Sequence, residues 1–285
     1  MLPSISQNRL VRNLYRGYVA LFFLYLAAPL VVVSVFAFND SLFPSPPWNG
    51  FTWDWFFNPT QPRLGLFHDS SLINAIGVSM FVAFWVTLLS VAVGTSNAFL
   101  FERETFRFKG LAYILMLTPL VIPGIILGIS ILVVANTIAN RVEDAIGVEI
   151  EALRPGLWLV IFGQFSFITT ITTLVISARL RRFDTELEEA ALNLGASRWV
   201  AVRTVTLPYL APAMLGAGIV AFLMSFENFN TTLMLVGSEA PLTIALFDRL
   251  KEGSTPVLNA ISLLLMVFSA VLALVVIALQ RERAA

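Results

Sequence analysis

Six stretches of this chain contain no Asp, Glu, Lys or Arg: Tyr18–Phe38, Leu72–Phe101, Leu111–Asn140, Pro155–Ala178, Thr204–Phe226 and Pro256–Gln280. About 20 helical residues cross the hydrocarbon core of a bilayer, and each stretch is long enough. Lipid offers nothing to backbone N–H and C=O groups, so these stretches are helices rather than strands. The 285 residues are 58% hydrophobic and only 13% charged, too little charge to cover a soluble domain of this length. The sequence therefore predicts an all-α membrane protein with six transmembrane helices, at about 18–38, 72–100, 111–138, 156–178, 208–236 and 257–279. They form one domain over 18–280, between an N-terminal segment 1–17 and a tail 281–285.

Charge placement orients the helices. The N-terminus, the 102–110 loop, the 179–207 loop and the tail hold 13 of the 18 Lys and Arg. By the positive-inside rule those segments and both termini are cytoplasmic. The first apolar stretch follows Arg9, Arg12 and Arg16 but is too long for a signal-peptide core, so it reads as a retained span. With no cysteine, disulfides, thiolate metal sites and cysteine nucleophiles are excluded. The first external loop contains "SPPWNGFTWDWFFNP", whose Trp48, Trp53, Trp55 and Phe56 suit an interfacial belt or a surface for an external partner. His68 beside Asp69 makes a poor metal site, because one histidine supplies too few ligands.

Several spans carry breakers and polar groups. Pro119 and Pro123 invite a kink in the third, and Gly124 and Gly128 offer a small face for another helix. In the fourth, "GQFSFITTITT" places Gln164 and five hydroxyls at bilayer depth; the hydroxyls can bond their own helix, whereas the Gln164 amide needs a partner or water. The fifth contains "SFENFNTTLMLVG", in which Glu227 is the one ionisable side chain near bilayer depth. A mid-helix carboxylate costs about 2.5–3.5 kcal/mol on insertion scales, so Glu227 needs a reason. It reads as a translocation-path anion for a cationic solute, with Asn228, Asn230, Thr231 and Gln164 along the path, or else as an interhelical hydrogen-bond hub.

The segment 184–207 differs from the rest. Asp184, Glu186, Glu188 and Glu189 crowd a helix start, where Thr185 and Glu188 fit a capping box. Gly195 suits a left-handed C-terminal cap, Ser197 can cap a second short helix, and Pro208 opens the next span. Ala190, Ala191 and Gly195 leave a ridge almost bare of side chains, a shape that fits a cleft in another protein.

The segment "EAALNLGASRWVAVRTVTLP" resembles the cytoplasmic signature of permease subunits in binding-protein-dependent ABC importers. That signature reads E-A-A, three residues, G, nine residues, a hydrophobic residue, one residue, L-P. Glu189, Ala190, Ala191, Gly195, Val205, Leu207 and Pro208 stand at its positions. The resemblance implies a type I ABC importer permease fold, with 184–207 as coupling helices seated in a groove of an ATP-binding subunit. "FTWDWFF" and "TPVLNAISLLLMVFSAVLALV" look most like the second membrane subunit of spermidine/putrescine importers, a subfamily that also serves opines, thiamine and ferric iron. The implied solute is small, polar and cationic; an amino acid is an alternative, because the paired acids of polyamine permeases are here Glu227–Asn228, with one charge gone. The implied partners are two ATP-binding subunits, a homologous permease, an external substrate-binding protein and membrane lipid, in a bacterial inner membrane.

The chain contains no G-x-x-x-x-G-K-[ST] loop, so ATP and Mg are expected on the partner and no cofactor, metal or catalytic residue on this chain. Nothing points to nucleic acid. A self-sufficient secondary transporter or channel would predict inverted repeats and several intramembrane charges, and only Glu227 is available.

Overall fold

The structure is a computed structural model that describes residues 9–44, 46–253 and 255–281, with 275–281 described by backbone alone. Twelve α-helices are described: α1 Arg9–Phe36, α2 Asp54–Phe57, α3 Ser70–Arg103, α4 Lys109–Val121, α5 Gly124–Ile146, α6 Leu157–Leu180, α7 Glu186–Asn193, α8 Arg198–Ala201, α9 Leu207–Phe226, α10 Thr232–Leu235, α11 Leu242–Glu252 and α12 Val257–Arg281. Six helical stretches are long and apolar enough to cross a membrane: α1, α3, α5, α6, the continuous stretch Arg198–Phe226, and Val257–Leu274 within α12.

The contacts divide the chain into two units. One comprises the residues up to Ser70 together with Arg249–Phe268. None of the 28 residues of α1 is buried, and the chain is already helical at Arg9, ahead of the span expected from residue 18. The loop after it has its own small core. Asn39 bridges Phe51, and its side-chain oxygen accepts the Asn49 N–H at 2.8 Å. The Trp55 indole N–H donates to the Asn39 carbonyl at 2.8 Å. Trp55 and Phe56 are therefore interior groups rather than part of an interfacial belt, while Trp48 and Trp53 stay about half exposed. Phe38 stacks on Phe51 and on Phe56, with ring centroids 5.1 and 5.3 Å apart. Asp69 accepts both arms of Arg249 at 2.6 and 2.9 Å, a fork that leaves it ill placed to help His68 hold a metal.

The second unit, Ser71–Asp248 with the residues from Ser269, is organised around α6. Some 61% of the apolar window of α6 is buried, against 28% or less in the other five, which makes α6 the central helix. Apolar residues lie on all its sides rather than on one stripe, as in a helix with neighbours on several faces. Its hydroxyls divide by role. Ser166, Thr169 and Thr173 bond carbonyls of α6 itself at 2.7 Å, as expected of helix-internal hydroxyls. Thr170 instead reaches the Met116 carbonyl of α4 at 2.7 Å, and Thr172 is shared between the Ser90 carbonyl of α3 at 2.7 Å and the Thr169 carbonyl of its own helix at 2.9 Å. Helix α3 comes so close that a Cβ on Gly94 would lie 2.3 Å from the Thr172 hydroxyl.

Two expected spans are broken. The third is not a kinked helix over 111–138 but two helices. Ile122, just before Pro123, is extended (φ −76°, ψ 130°), because the proline ring crowds a helical predecessor. Helix α4 ends there; α5 starts at Gly124 and runs on to Ile146, where Gly147 (φ +67°) caps it. Helix α5 presents Gly124 and Gly128 to the 230–234 segment, as a small face allows: a Cβ on Gly128 would lie 2.9 Å from the Met234 Cβ. The fifth span, expected over 208–236, ends at Phe226, and after residues 227–231 the short α10 turns back onto α5 and α6.

Candidate coupling surface and translocation path

Helix α7 begins differently from a capping box. Thr185 is already helical (φ −67°, ψ −21°) and its side chain caps nothing, since an N-cap needs extended backbone. Asp184 takes that role, its carboxylate accepting the Glu186 N–H at 3.0 Å. The carboxylate of Glu188 is drawn inward, where it accepts both arms of Arg103 at 2.7 and 3.2 Å and the Thr206 hydroxyl.

Burial alone would push the Glu188 carboxyl upward, but the Arg103 and Thr206 hydrogen bonds and the Arg103 charge outweigh it and hold it below the usual carboxylate range. A depressed carboxylate contributes its stabilisation in full above the unfolded-state value and loses it as the pH falls through the folded one. The contact is therefore intact at neutral pH and opens only in acid.

The C-terminal end of α7 matches expectation. Gly195 has φ +91°, the Ala196 N–H donates to the Ala191 carbonyl at 3.1 Å, and the Gly195 N–H donates to Leu192 at 2.9 Å. This is the double-bonded cap for which glycine is preferred. Ser197 then caps α8 through the Val200 N–H at 3.4 Å.

The second helix is not separate from the fifth span, however. Helix α8 passes through one π turn, Val202–Thr206, directly into α9, where Pro208 occupies the first turn. Pro208 has no N–H for the Thr204 carbonyl and its ring crowds that group, so the helix widens rather than stops. Glu189, Ala190 and Gly195 are exposed, and beside them Leu194 is 90% and Trp199 68% exposed. Leu207 is half-buried, Pro208 is exposed, and Val205 packs on the cluster of Ala98, Ile176, Leu180 and Leu210. The hairpin thus shows an apolar tip on a base fixed to α3 and α9. Leu194, Arg103 and Thr206 were not expected from sequence; Leu194 adjoins the cap glycine, while Arg103 is far away in sequence.

The path residues do not stay together. Glu227 is not mid-helix: it terminates α9 (φ −91°, ψ 2°) and is exposed, as is Asn230. Among the described residues its carboxylate makes no interhelical hydrogen bond, so Glu227 does not act as a hub within this chain. The hub is Gln164, which is 1% exposed. Its amide N–H donates to the Thr232 hydroxyl at 2.8 Å and its amide oxygen accepts the Ser225 hydroxyl, so α6 holds α9 and α10 across the break. The Gln164 amide is thus engaged in packing α6 against α9 and α10.

Thr231 is likewise buried, its hydroxyl on the Gly124 carbonyl at 3.3 Å. The Asn228 side-chain oxygen accepts the Thr232 N–H and hydroxyl at 3.2 and 3.0 Å and so starts α10. Removing the hub with Gln164→Leu takes the acceptor from the buried Ser225 hydroxyl and one of two partners from the Thr232 hydroxyl, at about 1–3 kcal/mol. A lowered melting temperature of the purified protein is the expected result, and an unchanged one would contradict this account.

A transport component is the class this architecture defines: six apolar spans, a hairpin with a glycine-capped tip, and a span broken at an exposed carboxylate. The chain belongs to the family of binding-protein-dependent transport system inner membrane components, whose pattern matches residues 90–281. It is 29% identical over 247 residues to the putrescine transport system permease protein PotI of Escherichia coli K12, covering 86% of this chain and 82% of that one. It is also 29% identical over 258 residues to the spermidine/putrescine transport system permease protein PotC of Haemophilus influenzae, covering 89% and 90%.

Its fold is similar to a chain in the crystal structure of a bacterial ABC transporter involved in the import of the acidic polysaccharide alginate. There the TM-score is 0.70 at 16% identity, over 96% of this chain and 98% of the other. A second solved structure, of an alginate ABC transporter in complex with an alginate pentasaccharide-bound periplasmic protein, gives 0.64 at 16% identity, over 94% and 91%. This chain is accordingly a non-catalytic, multi-pass permease subunit of a binding-protein-dependent ABC importer of the bacterial inner membrane.

Proposed function

We propose that this permease admits a small cationic solute of the polyamine class. Exposed Glu227, at the break in the fifth span, carries the proposal. The carboxylate coincides with the C-terminal end of α9, where the helix dipole is negative, so both favour a cation. The names of the putrescine and spermidine relatives point the same way. Asn228 and Asn230 flank the carboxylate, and a homologous permease paired with this chain supplies a second site for the other ammonium group. Both termini lie in the cytoplasm, an external binding protein delivers the solute, and two ATP-binding subunits holding ATP and Mg grip the 184–207 hairpin. Glu189, Ala190, Ala191, Gly195, Leu207 and Pro208 form or position the gripped surface.

In cells carrying the whole transporter, Glu227→Gln is expected to lower putrescine uptake about tenfold, the order of one lost charge-assisted contact. The amount of assembled complex stays the same. Wild-type uptake by the variant would remove Glu227 from the path. A wild-type transporter indifferent to putrescine and spermidine but active on an amino acid, an opine, thiamine or ferric iron would refute the polyamine assignment.

A further inference from the structure

We propose that Glu188 and Arg103 are positioning residues, a lock that makes the coupling hairpin, α3 and α9 move as one body. The proposal rests on the reading of 184–207 as the coupling segment and adds where the force goes. Arg103 is the last residue of α3, a 34-residue helix that runs back through the unit to Ser70. Its guanidinium grips Glu188 of α7 with both arms and lies 5.4 Å from the centre of the Phe183 ring, in the link between α6 and α7. The same carboxylate takes the hydroxyl of Thr206, which is fully buried at the end of the π turn leading into α9. One side chain on the hairpin thus ties two spans to it.

The covalent chain ties only α8 to a span, running helically into α9, while α7 hangs between two non-helical links. On one side the hairpin leaves α6 through residues 181–185, and on the other it turns at Gly195. Without the lock, a push on the tip is taken up by rotation about those two places. With it, the push reaches the end of α3 and the start of α9 together. The side chains of Glu188 and Arg103 are only 16% and 26% exposed, so solvent weakens the pair less than it would on an open surface. A second pair, Arg181–Glu102 at 2.8 Å, joins the end of α6 to the same end of α3, but its arginine is 60% exposed.

The test is a double-mutant cycle in the assembled transporter, scored as solute imported per ATP hydrolysed. Glu188→Gln and Arg103→Gln are each expected to lower that ratio about tenfold with complex yield unchanged. The double variant should be no worse than either, because the two remove one contact. Arg103→Lys keeps the charge but not the fork, and should fall between. Additive losses, an unchanged ratio, or loss of complex in step with loss of import would each overturn the lock. Gly195→Val, measured alongside, separates the two levels: if it impairs import while Glu188→Gln does not, the lock alone fails, and if neither does, the coupling reading fails too.

Discussion

Import collapses in Gly195→Val, while the six spans still assemble. The expected loss is at least about tenfold, and it has two sources. At φ +91° a β-branched residue is strained by roughly 1–3 kcal/mol, which loosens the cap that ends α7. The new side chain also projects from the tip. A Cβ there meets nothing within 4 Å among the described residues, so on this reading the added bulk is felt by a partner. Gly195→Ala separates the sources, since it carries most of the backbone strain and little bulk, and import between wild type and valine is expected. Uptake and ATP hydrolysis measured on the same purified complex decide the matter. A valine variant that imports normally would mean that nothing grips the tip.

Gly94→Leu is expected to prevent folding of the second unit altogether. A Cβ at this position would lie 2.3 Å from the Thr172 hydroxyl, 3.0 Å from its Cβ and 3.1 Å from the Thr173 backbone nitrogen. None of these is the free end of a flexible side chain, so α3 would have to separate from α6. That separation would also break the Thr172 bond to the Ser90 carbonyl. Even alanine should cost about 1–3 kcal/mol, the usual range for overpacking a filled interior. Size-exclusion profiles of detergent extracts give the readout: a monodisperse leucine variant would show that the helices do not cross so closely.

These two glycines differ in how visible they are in the sequence. Gly195 closes a short acidic, alanine-rich helix and precedes a serine that can cap the next one, so its left-handed cap is legible locally. Gly94 lies in an apolar run among other small residues, and its neighbour Thr172 belongs to another helix; only the packing marks it out.

The broken spans show the same division. Pro123 announced a disturbance, yet whether a proline kinks or ends a helix depends on what takes up the freed backbone groups. The chain after Phe226 contains neither proline nor glycine until Gly237, so its break was not legible. It exists because Asn228 starts a new turn and Gln164 holds that turn against α6. The need of Gln164 for a partner followed from its amide in an apolar run; Ser225 and Thr232 as the partners did not. The capping box failed because Glu188 has a stronger claim on it than a local N–H: a guanidinium contributed by a residue 85 positions away.

Hydropathy and local stereochemistry, both properties of short segments, were enough to predict six apolar helices and a hairpin with a glycine-capped tip, and the resemblance of one short motif pointed to the family. Which helix is central, where the third and fifth spans break, and which carboxylate is exposed and which is locked depended on the assembled unit. Close approach between helices and pairing of buried polar groups are decided by residues distant in sequence, and become definite only when the spans pack.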